Sequence, residues 1–376
     1  MSLAVSVIVP TFNRVGLLRT SLEAVLAQTV KPAEIFVVDD RSSDDTASAV
    51  AAFGSAVQLV RKPENRGKAH SINLAMTMVR QEAVWIVDDD DIVTEDALER
   101  LSGLLASQPD AGFAYGRHDR FHETDTGQRE SLGTGYWQEC APENFLTSTL
   151  EDFFVHQPGM IARRDSLTRA GPVNESLARS QDYDLLIRLA RTSKCVSTQD
   201  VVFHQRQHDG DRGVGKDRFS ASERDAKWVS FDQMIFRKLR EDMSLDEYLP
   251  GAQSVTTETD KRLALIQRGV IMARKKIWEL AIEDFTTAAE IGDSALSEAE
   301  QDTLRRAFGS KYGCREIIDT GDLADQIRTT RKAGPHGPAI VKALARGLRW
   351  RIREAFAARD PQSALLYARR YAALNH

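Results

Sequence analysis

The sequence predicts an α/β fold built on a mostly parallel sheet, followed by an all-α C-terminal region. Three observations carry this expectation. Short, almost wholly apolar runs alternate with helical stretches as far as about residue 90. The polar residues of that part collect directly after the apolar runs. From about Phe231 onward strand-like runs give way to helical spacing.

The first apolar run, Val5-Ser6-Val7-Ile8-Val9, is β-branched and closes at Pro10. It lacks a basic leader, and Pro10 and Asn13 interrupt it early, so it reads as a buried strand rather than a signal core. Leu18, Leu22, Val25 and Leu26 then fall on one helical face. Ile35 to Val38 form a second strand closed by Asp39-Asp40, and a helix opens near Asp44-Asp45-Thr46. Val57 to Val60 give a third strand, Gly67 to Val79 a helix, and Val84 to Val87 a fourth strand ending in Asp88-Asp89-Asp90-Asp91. Strands apolar on both faces and alternating with helices imply a parallel sheet covered on both sides. Ligands of such sheets sit at the carboxyl ends of the strands.

After Gly112-Phe113-Ala114-Tyr115 the pattern turns irregular through about Asp152, and a polar loop is expected at Asp209 to Asp217. Leu263 to Phe285 suggest one helical hairpin and Ala357 to Leu374 another, with Gly334 to Pro338 as a loop between them. These hairpins loosely resemble tetratricopeptide units without a clean repeat.

Length and composition bound the function. A chain of 376 residues suits about two domains. Its net charge of -5 offers no basic field for nucleic acid. The three cysteines (Cys140, Cys195, Cys314) form neither a CxxC pair nor a zinc spacing, which suits a reducing, cytoplasmic setting. No run is long and apolar enough to span a bilayer, so any membrane contact is expected to be peripheral, at the inner face. The segment Lys342 to Arg370 is the candidate for such contact: eight Lys and Arg stand against Glu354 and Asp360, with Leu344, Leu348, Ile352 and Phe356 at helical spacing. An ordinary helix with a solvated face accounts for most such patterns; an anionic membrane surface or an acidic glycan is the sharper reading.

The aspartate run is the sharpest feature. Four adjacent carboxylates after a buried strand repel one another, and a hard divalent cation relieves that repulsion. A solvated turn capping the helix near Thr94 is the plain alternative. Asp39 and Asp40 follow the second strand, where a carboxylate can accept hydrogen bonds from a nucleobase or a ribose hydroxyl. His204 and His208 stand four apart, but the apolar residues before them read as strand, so a helical zinc pair is rejected.

The residues from Val5 to Arg14, Val37 to Thr46, Asn65 to Ala69 with Asn73, Val87 to Asp91, Ser180 to Leu189 and His204 to His208 occur in an order that resembles glycosyltransferase family 2. The resemblance covers residues 1 to about 215 and implies the GT-A fold of nucleotide-diphospho-sugar transferases, with a Rossmann-like sheet. With the helical spacing after Phe231, the expected division is a transferase domain at 1–230 (nucleotide-binding half 1–116, acceptor half 117–230) and a helical domain at 231–376. The resemblance implies that Phe12 flanks the nucleobase and Asp40 bonds it, with Pro10, Thr11, Asn13, Arg14, Lys68 and Asp89 completing the nucleotide site. Asp88 approaches the ribose and diphosphate, Asp90 and His208 serve Mn²⁺ or Mg²⁺, and Arg206 assists at the diphosphate. Asp182 is the expected general base. Taken alone, Asp182 reads equally as a carboxylate at a helix N-terminus. One departure from the family is Gln181, where a Glu often precedes the base.

The implied reaction is inverting transfer from a nucleotide sugar, with UDP as the expected nucleotide, to a hydroxyl of a glycan or lipid-linked acceptor in envelope polysaccharide synthesis. The competing readings are a pseudo-transferase that scaffolds glycan assembly through its helices, and a nucleotidyltransferase. The second wants a Gly-rich basic loop after the first strand, and Thr11-Phe12-Asn13-Arg14 is not one.

Overall fold

The computed structural model describes residues 2–124, 126–207 and 224–375. They divide into two compact units, one of residues 1–145 and 153–224, the other of residues 146–152 and 225–376. The division falls six residues before the expected boundary at 230. The excursion of 146–152 into the second unit has no counterpart in the sequence reading.

The first unit is a nine-stranded sheet with helices. Its strands are β1 (Val5–Thr11), β2 (Glu34–Asp39), β3 (Gln58–Arg61), β4 (Ala83–Ile86), β5 (Ile92–Val93), β6 (Ala111–Glu123), β7 (Arg129–Thr134), β8 (Met160–Arg163) and β9 (Lys194–Arg206). Its helices are α1 (Val15–Leu26), α2 (Thr46–Ala51), α3 (Gly67–Met76), α4 (Ala97–Ser107), α6 (Arg164–Ala170) and α7 (Gln181–Thr192), while α5 (Phe145–Glu151) begins here and runs into the second unit. The strand order is β3-β2-β1-β4-β8-β6-β9-β5, with β7 paired to β6. The β3-β2-β1-β4 part is parallel throughout, as is the β6-β9 pair, whereas β8 runs antiparallel to both its neighbours.

β1 is buried along its whole length. Val5, Val7 and Val9 share a cluster with Leu18, Leu22 and Val25 of α1 and with Leu98, Leu101 and Leu105 of α4. Ile8, Phe36 and Val38 are equally buried but stand outside that cluster. Strand alternation puts them on the opposite face, where α3 packs on β1 and β2. Burial of such side chains stabilises by about 1.5–3 kcal/mol each.

The ladder also positions the site. Val87 donates its N–H to Ile8 O at 3.0 Å. In a parallel pair the next bond would come from the N–H of Pro10, which proline lacks, so pairing stops and the four aspartates turn away. Thr11 stands opposite Asp39 in the β1–β2 register. Thr11, Asp39 and the aspartate turn therefore emerge at one edge of the sheet.

The second unit is helical: α8 (Arg224–Asp242), α9 (Glu258–Arg274), α10 (Trp278–Ala289), α11 (Glu298–Arg305), α12 (Glu316–Asp319), α13 (Leu323–Thr329), α14 (Gly337–Ala357) and α15 (Pro361–Asn375). The hairpin expected at Leu263 to Phe285 is present as α9–α10, whereas Ala357 to Leu374, expected as a second hairpin, hold essentially the single helix α15, which packs on α14 before it. Gly337 and Pro338 belong to the first turn of α14 rather than to a loop, since proline's missing N–H and fixed φ suit that position. Residues 146–152 join this unit through Glu151, which accepts from Gln267 Nε2 at 2.8 Å and from Arg306 Nε at 3.0 Å, and through an Asp152–Arg274 ion pair.

A buried ion pair locks the helices. Arg262 and Glu300 are both fully buried and bond in a fork, Nε to Oε1 at 2.6 Å and Nη2 to Oε2 at 3.1 Å. Glu300 also accepts from the Ser297 N–H at 2.7 Å, closing a capping box at the start of α11. Removing one partner leaves a buried charge unpaired, so Glu300→Ala is expected to lose about 3–5 kcal/mol of stability. The double variant Arg262→Met/Glu300→Leu should recover only part of it, because the Ile291 and Ser294 carbonyls lose the Arg262 donor and the Ser297 N–H loses its acceptor; urea unfolding of the three proteins checks this.

Candidate active site

The aspartate turn is held from several sides. Ser21 Oγ donates to Asp88 O at 3.0 Å. Asp89 is nearly buried and accepts from Thr11 Oγ1 at 2.7 Å and from Arg14 Nη1 at 3.1 Å. The same Arg14 nitrogen reaches Asp90 Oδ2 at 2.8 Å. Asp91 accepts the Arg206 N–H at 2.9 Å, and Asp88 pairs with Lys68. Of the run, Asp88, Asp90 and Asp91 each bring one carboxylate oxygen within 4.8 Å of the others.

Burial is the first cause of raised carboxyl pKa values here. It pushes Asp91 well above its ordinary value, reinforced by Asp90 and Asp88. It raises Asp89 to about 6, against the pull of Arg14. Asp88 is also raised by burial; Lys68 opposes this, while Asp90 and Asp182 add to it. Burial works against the charged form of Lys68, but Asp88 and Asp182 outweigh it and the ammonium is held above its usual range. Three converging carboxylates under mutual repulsion, all hard oxygen donors, are compatible with a divalent metal site.

Asp182 thus acts on both Asp88 and Lys68, which brings it to the same site from α7. It lies half-buried in the first turn and accepts the Tyr183 N–H on Oδ1 at 2.9 Å. Ser180, immediately before the helix, is left-handed at φ 55°, a conformation that strains a non-glycine residue.

The nucleotide-side residues form a laced loop. Asn13 sits at φ 52°, a left-handed position that asparagine tolerates. Its N–H donates to Ser42 Oγ at 2.8 Å, and its Oδ1 accepts from the Ser43 N–H at 2.7 Å. Phe12 beside it is half-buried. Asp40 accepts from the Arg66 and Gly67 N–H groups at 2.9 and 2.7 Å and pairs with Lys62 at 2.5 Å. Both its oxygens are therefore engaged at the start of α3, and a base contact would have to share or displace one of these bonds. Arg206 stands behind the turn: its side chain is nearly buried, Nε donates to Asp90 O at 2.9 Å, and the guanidinium pairs with Glu123 and lies 4.8 Å from the Phe121 ring centre. That placement braces the aspartate turn. His208 and the loop Asp209 to Asp217 lie outside the described residues. His204 pairs with Ile92 within the β5–β9 ladder.

Two features escaped the sequence reading. Asp91 joins Asp88 and Asp90, but nothing in a run of four identical residues tells which side chains converge. His156, just ahead of the short turn Gln157–Gly159, belongs to an aromatic bridge. The Phe153 ring centre lies 5.0 Å from Tyr183 and 4.8 Å from His156, and His156 lies 4.7 Å from His118. Gln157 is buried there, with neither amide atom hydrogen-bonded among the described residues.

His118 stacks on Phe203 at 5.1 Å, and only glycine fits at 135, where a Cβ would lie 1.8 Å from the imidazole. Burial, helped by Arg120, lowers the His118 pKa from 6.5 to about 4. Between these values the unfolded chain binds a proton that the folded chain refuses. The contribution of His118 is therefore complete above pH 6.5 and lost as the pH falls toward 4, by roughly 3 kcal/mol in all. His118→Phe should flatten the fall in urea-unfolding stability between pH 7 and pH 5.

The fold is of the GT-A type. Two solved structures share it: Staphylococcus aureus TarS (TM-score 0.51, 17% identity, covering 91% of this chain and 53% of that one) and its 1–349 fragment in complex with UDP-GlcNAc (TM-score 0.51, 16% identity, 96% and 89%). Residues 6–170 match Glycosyl transferase family 2, and that stretch is a domain of this family. Curated relatives include the glycosyltransferase GlyG of Streptococcus pneumoniae, 32% identical over 128 residues (33% of this chain, 42% of that protein). A Rickettsia felis protein described as an uncharacterized glycosyltransferase is 24% identical over 233 residues (60% and 38%). The chain thus spans about two fifths of the length of these two relatives.

Proposed function

We propose that the chain is a metal-dependent, inverting glycosyltransferase that moves a sugar from a nucleotide donor to a hydroxyl of a glycan or lipid-linked acceptor. The observation that carries the reading is the convergence of Asp88, Asp90 and Asp91 at the carboxyl edge of a parallel sheet, with Asp182 electrostatically coupled to it. Asp90, with Asp88 and Asp91, would hold Mn²⁺ or Mg²⁺. What such an ion supplies when bound is neutralisation of the charge that develops on the departing diphosphate.

The chain's own residues supply the rest. Lys68 and Arg14 bring positive charge to the diphosphate side. Phe12, Pro10 and the Asn13 loop form the wall for the base, with Asp40 as its polar contact. Asp182 takes the proton from the acceptor hydroxyl as its oxygen bonds to the anomeric carbon and the carbon–diphosphate bond breaks. A single displacement with no enzyme nucleophile inverts the anomeric centre. The TarS fragment with UDP-GlcNAc motivates a uridine donor as the first to try.

The test is nucleoside diphosphate release from a panel of nucleotide sugars, UDP-sugars first, with Mn²⁺, and ¹H NMR of the anomeric proton in the product. Metal-dependent release with inversion supports the reading; retention contradicts the single displacement, and no turnover of any nucleotide sugar contradicts the reaction class.

A further inference from the structure

A surface with unpaired positive charge lies on the α14–α15 hairpin of the helical unit. Arg346, Arg349 and Arg353 recur on one side of α14 and line, with Arg305 and Trp350, a concavity of about 580 Å³. Arg305 is neutralised by Asp302. Arg346, Arg349 and Arg353 have no carboxylate partner among the described residues, unlike Arg351, which pairs with Glu354. Arg346 meets only Gln301 Oε1, at 3.3 Å, and Arg349 only the Tyr371 hydroxyl, at 2.7 Å. Two of these charges therefore lean on neutral groups, and Arg353 has no hydrogen-bond or ion-pair partner among the described residues.

Apolar side chains stand exposed beside this charge. Of six large apolar side chains that are exposed among the described residues, Trp350, Phe356 and Leu365 belong to this hairpin, at 54%, 63% and 54% exposure. Trp350 is held from below: Arg351 lies 4.4 Å from its ring centre and is itself bonded to Phe308 O and Ser310 O. Helical spacing puts Arg346, Arg349, Trp350, Arg353 and Phe356 within one face. A polyanion in water would use the arginines but would leave Phe356 and Leu365 without purpose. An anionic bilayer uses both, pairing lipid phosphates with guanidinium groups while aromatic and aliphatic side chains enter the headgroup boundary. No described helix is long and apolar enough to cross a membrane, so the contact is with the surface.

We propose that this face of the α14–α15 hairpin docks on an anionic lipid bilayer. The test is co-sedimentation of the full chain with vesicles of pure phosphatidylcholine and with phosphatidylglycerol-rich vesicles, at low and high salt. Binding should require phosphatidylglycerol and weaken with salt. Arg349→Gln/Arg353→Gln should bind about 30-fold more weakly, at roughly fivefold per lost charge. Trp350→Ser, an exposed change that leaves the charges in place, should also weaken binding and should remove a blue-shifted component from the vesicle-induced change in tryptophan emission. Equal binding to both vesicle types, undiminished binding by both variants, or binding to soluble heparin but to no vesicle would each overturn the proposal.

Discussion

Asp182→Asn is expected to lower sugar transfer by about 10²- to 10⁴-fold while nucleotide binding stays unchanged. Asparagine keeps the shape of the side chain and its acceptor toward the Tyr183 N–H, so α7 retains its first turn. It cannot take a proton from an acceptor hydroxyl. A carboxylate that merely complements the helix N-terminus contributes about 0.3–1 kcal/mol to stability and nothing to turnover. Steady-state transfer rates and UDP titrations on the same preparations separate the two roles. Unimpaired turnover in the variant would remove Asp182 from the mechanism.

Asp90→Ala has the second large effect. Asp90 is one of three converging carboxylates and is also paired with Arg14 at 2.8 Å. Its loss takes away a proposed metal ligand and leaves Arg14 on Asp89 alone. The variant should lose metal-stimulated turnover, and the strengthening of UDP binding by Mn²⁺ should disappear. Folding should survive, because Asp89 and Asp91 keep their bonds to Thr11 and to the Arg206 N–H. Calorimetric titration of UDP with and without Mn²⁺ reads the effect; equal metal stimulation in both proteins would place the ion elsewhere.

The central strands were legible because they are simple. β1, β2 and β4 are buried on both faces, so nearly every residue is apolar and the run announces itself. β6 and β9 are thirteen residues each and were not recognised as long strands. β6 is buried for its first six residues and alternates only afterwards. It also carries Gly112 and Gly116, which look like strand breakers. Both are demanded by close approach: a Cβ at 112 would lie 2.5 Å from Ser193 Cβ, and one at 116 would lie 2.8 Å from Val202. In the helical unit α11, α12 and α13 are too short to show a period. Gly337 was read as a loop residue, yet its Cβ would lie 2.2 Å from Thr330 O, so it too is a packing glycine.

The candidate site was legible as an ordered set of motifs and much less so as individual roles. Order along the chain placed Thr11, Asp39, Asp88 and Asp182 at strand ends or helix starts, which the sheet then gathers to one edge. The direction of each side chain in an irregular turn has no periodicity to reveal it. That is why Asp89 is found bonded to Thr11 and Arg14 while Asp91 turns toward Asp88 and Asp90. Arg206 reads in sequence as one more phosphate-seeking arginine; only the β5–β9 pairing shows it tucked behind Asp90.

The most direct test of the account is a thermal-shift titration of the full chain with UDP, alone and with Mn²⁺. UDP and Mn²⁺ together should raise the melting temperature of the wild type well beyond either alone, and Asp90→Ala should abolish this synergy. No stabilisation by any nucleoside diphosphate, with or without a divalent ion, would contradict it.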